Sequence, residues 1–153
     1  AWSSPNPHSA RCFAVRQNLL RDSGPAAYVQ AQSLFLYPPD WIAANSEKLA
    51  RDDAHALAHF PPTANLLRRI GALLAFDIEA ELASIRTPTL LIANRDDMLV
   101  PWNRSQHMAE VLPNARLALL EYGGHASSVS DSEPFNRVLL DFLAEQCGQA
   151  TAA

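Results

Sequence analysis

At Thr87-Pro88 the apolar residues change period, and that change constrains the fold more than any other feature of the chain. Upstream they recur at helical spacing, as in Cys12, Phe13, Leu19 and Leu20, or Leu66, Leu67, Ile70 and Leu74. Downstream, Thr89-Leu90-Leu91-Ile92-Ala93 is a short unbroken apolar run, expected of a strand buried on both faces of a parallel sheet. A helix follows from about Asn103 to Leu112, stopped by Pro113, and then a second strand over Arg116–Glu121. The last helix begins near Ser132 with Pro134 in its first turn and buries Phe135, Val138, Leu139, Phe142 and Leu143. Strand–helix–strand–helix order with short loops means parallel strands joined by a right-handed crossover. The expectation is an α/β fold: a helical segment followed by the last two strand–helix units of an open sheet.

The helical part punctuates itself. A helix from Ser9 stops at Gly24-Pro25, and a second over about 26–36 ends before Pro38-Pro39. A third starts after Pro39 with Asp40 as its cap, breaks near Asn45-Ser46 and resumes to His59, where Pro61-Pro62 ends it. A fourth covers Thr63–Leu74, and a short fifth about 78–85. The expected organisation is a strand end and loop over 1–8, a helical cap over 9–86, strand–helix units over 87–147, and a flexible tail over 148–153 begun by Gly148.

Composition bounds the function. The net charge is −4 with scattered arginines, which excludes the basic stripe that nucleic acid requires. No apolar run approaches a membrane span and no secretion signal opens the chain, so the expected compartment is the cytoplasm. Cys12 and Cys147 then read as two lone buried thiols. The opening Ala1-Trp2-Ser3-Ser4-Pro5-Asn6-Pro7 lacks a Met and looks like a strand end running into a loop, so a fragment is expected.

Ligand sites in open α/β sheets lie outside the carboxyl ends of the strands. Two motifs fall there: Ala93-Asn94-Arg95-Asp96-Asp97-Met98-Leu99-Val100-Pro101 after the first strand, and Glu121-Tyr122-Gly123-Gly124-His125 after the second. They supply an acid and then a histidine, the second and third members of a hydrolase triad in the chain order Ser…Asp…His. The acid of that pattern stands four residues before a proline, which selects Asp97; Asp96 is then a supporting or solvated neighbour, or the pair is a turn that caps the next helix. Gly123-Gly124 lets the backbone turn sharply and carry His125 over the sheet edge as general base. The nucleophile is missing. None of the five glycines has a serine two positions later, so these residues hold no Gly-x-Ser-x-Gly elbow, and neither Ser127 nor Ser128 replaces it.

Other candidates are weaker. His55 and His59 stand four apart on a helix, a spacing that clips metals, but no third ligand of matching spacing follows; no metal is expected. Trp2, just beyond the end of a strand, either lines the mouth of the site or simply packs, and Phe35, Tyr37 and Trp41, interleaved with Pro38-Pro39, face substrate from above or pack as aromatic core.

These residues carry a resemblance. Asp97 with Val100-Pro101, then Gly123-Gly124-His125, is similar to the α/β-hydrolase superfamily, with 9–86 as its helical cap. Ala10-Arg11-Cys12-Phe13, Leu34-Phe35-Leu36-Tyr37-Pro38, Trp41, Ala56-Leu57-Ala58-His59-Phe60, Asn65-Leu66-Leu67-Arg68-Arg69 and Tyr122-Gly123-Gly124-His125-Ala126 resemble more closely the RutD family of pyrimidine (uracil) utilisation. The resemblance implies hydrolysis of a small C–N substrate, an aminoacrylate or carbamate, without a cofactor, with Asp97 and His125 as acid and base. The family's earlier strands, oxyanion loop and elbow are absent from these residues, so the chain alone is expected to be inactive. His125 then activates either a side-chain nucleophile or water. Two other readings compete: another hydrolase of the fold, such as a 3-oxoadipate enol-lactonase-like esterase, and a binding module that keeps the fold without the chemistry. The bare sheet edge is expected to recruit either the missing N-terminal half or a second copy.

Overall fold

The computed structural model describes residues 1–150. Asn6 starts α1 (Pro7–Asn18) with a reciprocal cap: its side chain accepts from the Ser9 amide while Ser9 Oγ accepts from the Asn6 amide, each at 2.8 Å. Pro7 at the first helical position moves the start two residues ahead of the expected Ser9. A π-helical turn, Leu19–Ser23, leads into α2 (Gly24–Leu36), with Gly24 at φ 84° making the corner. Tyr37 is extended, as the residue before a proline must be, and α3 (Pro39–Ala44) and α4 (Ser46–Ala58) break at Asn45 as the pattern predicts. Asp40 is not a cap. Pro38 holds that position, and the Asp40 carboxylate instead accepts the Tyr122 hydroxyl. The helical part closes with α5 (Thr63–Ala75) and a 3-10 turn, Glu79–Ser84.

Then come β1 (Thr89–Asn94), α6 (Trp102–Val111), β2 (Ala115–Leu120), α7 (Ser127–Ser130) and α8 (Ser132–Ala150). The strands are parallel and in register from Thr89 opposite Ala115 to Asn94 opposite Leu120. Both therefore release their chains at the same end of the sheet. The architecture matches the expected α/β arrangement of a helical part and two strand–helix units.

Three cores hold it together. Phe13, Leu20, Tyr28, Val29 and Ile70 form one within the helical part. Leu82, Leu91, Met108 and Leu112 form another under the sheet. Cys12, Leu99 and Val100, with Trp2, Phe35 and Leu36 against them, make the seam between the two halves.

Several expectations need correction. Burial of β1 on both faces is incomplete: Leu91, Ala93 and Asn94 are buried, Leu90 and Ile92 only half-buried, because a two-stranded sheet has few elements to cover it. Of the apolar face assigned to α8, Phe135, Val138, Leu139 and Phe142 are half-buried and Leu143 is exposed. Cys12 is buried as expected, but Cys147 is exposed on that same helix. Gly148 does not stop α8, which continues to Ala150; the remainder of the expected tail, 151–153, lies outside the described residues. α7, a single turn, has no sequence signature. No helix among the described residues is long and apolar enough to cross a membrane.

Candidate active site

The two strand ends bring Asp97 and His125 together. Parallel pairing in register places both loops at one edge, and His125 Nδ1 lies 2.9 Å from Asp97 Oδ2. The aspartate side chain is 8% exposed and the imidazole 35%, so the carboxylate sits behind the ring and the ring faces outward. A carboxylate only accepts, which fixes the proton on Nδ1 and leaves Nε2 as the basic nitrogen.

Each loop is built differently. Asp97 orders its own turn: the amides of Leu99 and Val100 both donate to its Oδ1 at 2.8 Å, leaving Oδ2 for the imidazole. His8 on α1 adds one outside contact, 2.6 Å from the Met98 carbonyl. The histidine loop is held by its neighbours. Asp96 spans it with both oxygens, accepting from the Gly123 amide at 3.1 Å and the Gly124 amide at 2.9 Å. Asn94 donates to the Gly124 carbonyl at 2.7 Å and to Ser127 Oγ at 2.9 Å, and the Ala126 amide donates to Leu36 O at the end of α2. Gly123 (φ 126°) and Gly124 (φ 64°) adopt backbone conformations that other residues avoid. A Cβ on Gly124 would stand 2.7 Å from Leu36 O.

The Asp96 carboxylate, though exposed, is therefore a supporting clamp on the histidine loop. Its role is legible only once β1 and β2 are placed side by side. Tyr122 ties the same loop to α3 through Asp40; desolvation and the Asp40 carboxylate raise its phenol above the ordinary range. Burial likewise raises the Cys12 thiol, against the opposing pull of Arg16.

His125 lines an apolar cavity of about 510 Å³ together with Trp2, Phe13, Arg16, Leu36 and Phe76, among others. Trp2 sits there in edge contact with Phe13, ring centroids 5.7 Å apart. Phe35 packs in the seam against the cluster of Cys12, Leu99 and Val100. Tyr37 stacks on Trp41 at 4.3 Å and lines a different cavity, with Tyr28, Leu49 and Phe60. Ser127 is buried as the partner of Asn94, and Ser128 is exposed. His55 and His59 pack ring on ring at 4.3 Å, and among the described residues no three potential ligands are grouped to hold a metal. Sequence reasoning passed over Arg16, whose only signal was a cation within an apolar helical face.

The chain is similar to several known proteins. The family model described as TAP-like protein, an α/β-hydrolase model, matches residues 76–150. The chain is 85% identical over all 153 residues to the provisionally named carbamate hydrolase RutD of Stutzerimonas stutzeri (strain A1501), covering 58% of that protein. It is 53% identical over 143 residues to the RutD of Agrobacterium fabrum (strain C58 / ATCC 33970), covering 94% of this chain and 55% of that one. It spans somewhat over half the length of the curated relatives it matches. Among solved structures it resembles MGS-M2, an alpha/beta hydrolase enzyme from a Medee basin deep-sea metagenome library (TM-score 0.84, 20% identity, 94% of this chain and 54% of that one). The enol-lactonase of Burkholderia xenovorans LB400 is also similar (TM-score 0.77, 20% identity, 88% and 50%). By sequence, fold and the placing of its two loops, the chain belongs to the α/β-hydrolase superfamily, as the C-terminal part of a RutD-like member.

Proposed function

We propose that this chain supplies the acid–base half of a hydrolase that cleaves a small C–N substrate of the carbamate or aminoacrylate type. The observation that carries the reading is the 2.9 Å contact from Asp97 Oδ2 to His125 Nδ1 at the paired ends of β1 and β2. His125 Nε2 takes the proton of the attacking hydroxyl, whether water or a side chain, as the new C–O bond forms. It returns that proton to the departing nitrogen as the C–N bond breaks, and Asp97 stabilises the imidazolium between the two steps. The name of the relatives, carbamate hydrolase, supports the substrate class.

In this reading residues 9–86 form a cap over the strand ends and 87–147 the core units, with Trp2 in the pocket and Phe35, Tyr37 and Trp41 shaping the cap around it. The nucleophile and oxyanion donors come from the N-terminal half of the full-length protein, which completes the sheet at the edge of this two-stranded remnant; without it, residues 1–153 are inactive.

The test is ammonia release from carbamate or aminoacrylate by the full-length protein. His125→Ala is expected to lower kcat by about 10³-fold or more, and Asp97→Asn by about 10²- to 10⁴-fold. Lactone turnover exceeding C–N turnover would move the reading to an enol-lactonase, and unchanged C–N turnover in His125→Ala would overturn it.

A further inference from the structure

A positive charge with no counter-charge among the described residues borders the cavity that holds His125. Arg16 comes from α1, and its guanidinium lies 5.2, 5.6 and 5.7 Å from the ring centroids of Phe13, Tyr28 and Phe35. Its Nη2 donates to two neutral acceptors, Tyr28 Oη at 3.1 Å and Gln32 Oε1 at 2.6 Å. Its Nε is buried and meets no acceptor. Among the described residues no carboxylate stands within ion-pair distance of Arg16, and none lines the cavity.

A guanidinium does not shed its proton, so this charge persists in an apolar setting. Aromatic faces attract a cation by about 0.5–2 kcal/mol, which eases the burial without neutralising it. A strut joining α1 to α2 needs hydrogen bonds, which a neutral side chain would supply at less desolvation cost. A fixed cation held by neutral groups alone, on the wall of an apolar cavity shared with His125, instead matches the usual plan of a ligand pocket: apolar walls and a few placed polar groups. The ligand that completes it is an anion such as a carboxylate, held by the guanidinium's charge and by Nη1, since both protons of Nη2 already go to Tyr28 and Gln32.

The geometry points to Arg16 as the specificity-determining residue of this site, binding the carboxylate of a small monoanionic substrate while His125 acts on its C–N bond. This rests on the hydrolase reading above only for the second clause; the anion site stands or falls by binding alone.

The test titrates sodium propionate and, separately, neutral propionamide into the full-length protein by calorimetry, for the wild type, Arg16→Met and Arg16→Lys. Propionate is expected to bind the wild type at least about 10-fold more tightly than the amide. Arg16→Met weakens propionate by about 10- to 100-fold and the amide by less than about two-fold, with Arg16→Lys between. Equal affinity of wild type and Arg16→Met for propionate, or no preference of the wild type for the anion, would overturn the assignment. Should Arg16→Met fail to fold, the Arg16 Nε–H resonance of the wild type, assigned with Arg16→Lys, decides. A saturable shift with propionate supports the site and an unmoved resonance removes it. Anion binding through Arg16 without C–N hydrolysis would sink the hydrolase reading and leave this one standing.

Discussion

The acid loop and the histidine loop leave the same edge of the sheet, yet they are held by opposite means. Asp97 builds its loop from within, drawing the amides of Leu99 and Val100 onto one oxygen. The histidine loop is built from outside, by Asp96 and Asn94 on the neighbouring strand end and by Leu36 O on α2. A turn that closes on its own side chain tolerates change elsewhere. A loop seated against two other elements transmits every disturbance to the ring it carries, and it is the one that presents His125.

The comparison breaks most severely at Gly124. Gly124→Ala puts a Cβ at φ 64° against Leu36 O and is expected to destabilise the protein by about 2–4 kcal/mol in urea unfolding. Gly71→Ala, inside α5 with nothing near its Cβ, is the control and is expected to stabilise by about 0.5–1 kcal/mol. Equal effects at the two glycines would dissolve the distinction between the loops.

A smaller effect is expected from Asp96→Asn, which leaves one oxygen for two amide donors and turns an NH₂ toward the other. About 1–2 kcal/mol of stability is lost, since the residue is largely exposed, and kcat of the full-length protein falls as the histidine loop loosens. Unchanged amide exchange at Gly123 and Gly124 in this variant would show that the clamp holds nothing.

The smallest shift belongs to Asp97→Asn. An asparagine oxygen still accepts from Leu99 and Val100, so stability changes by less than about 0.5 kcal/mol in the same urea series while turnover collapses. A stability loss matching that of Asp96→Asn would make the acid loop as dependent on its surroundings as the histidine loop.

The same division explains what was readable in the chain. The break at Asn45, the end of α2 before Pro38-Pro39 and the two parallel strands follow from proline sterics and apolar period, which act over a few residues. The Asp97–His125 contact was readable because strand order and register are themselves local consequences, and both motifs stand one loop beyond a strand. The partner of Asp40 across to Tyr122, the exposure of Leu143 and Cys147, and the single turn α7 were not readable, since each depends on which distant surface arrives to cover it.

By itself, then, the sequence determined the helical part, the strand–helix order and the two loops that carry an acid and a histidine. Only the tertiary structure decided that Asp96 clamps Gly123 and Gly124, that Trp2 shares a cavity with His125 while Tyr37 and Trp41 turn to each other, and that Arg16 borders that cavity with only neutral hydrogen-bond partners among the described residues. The reason is one of range. Backbone sterics and apolar period are settled between neighbours in the chain, whereas hydrogen-bond satisfaction and the neutralising of a buried charge are settled between groups that only folding brings within a few ångströms.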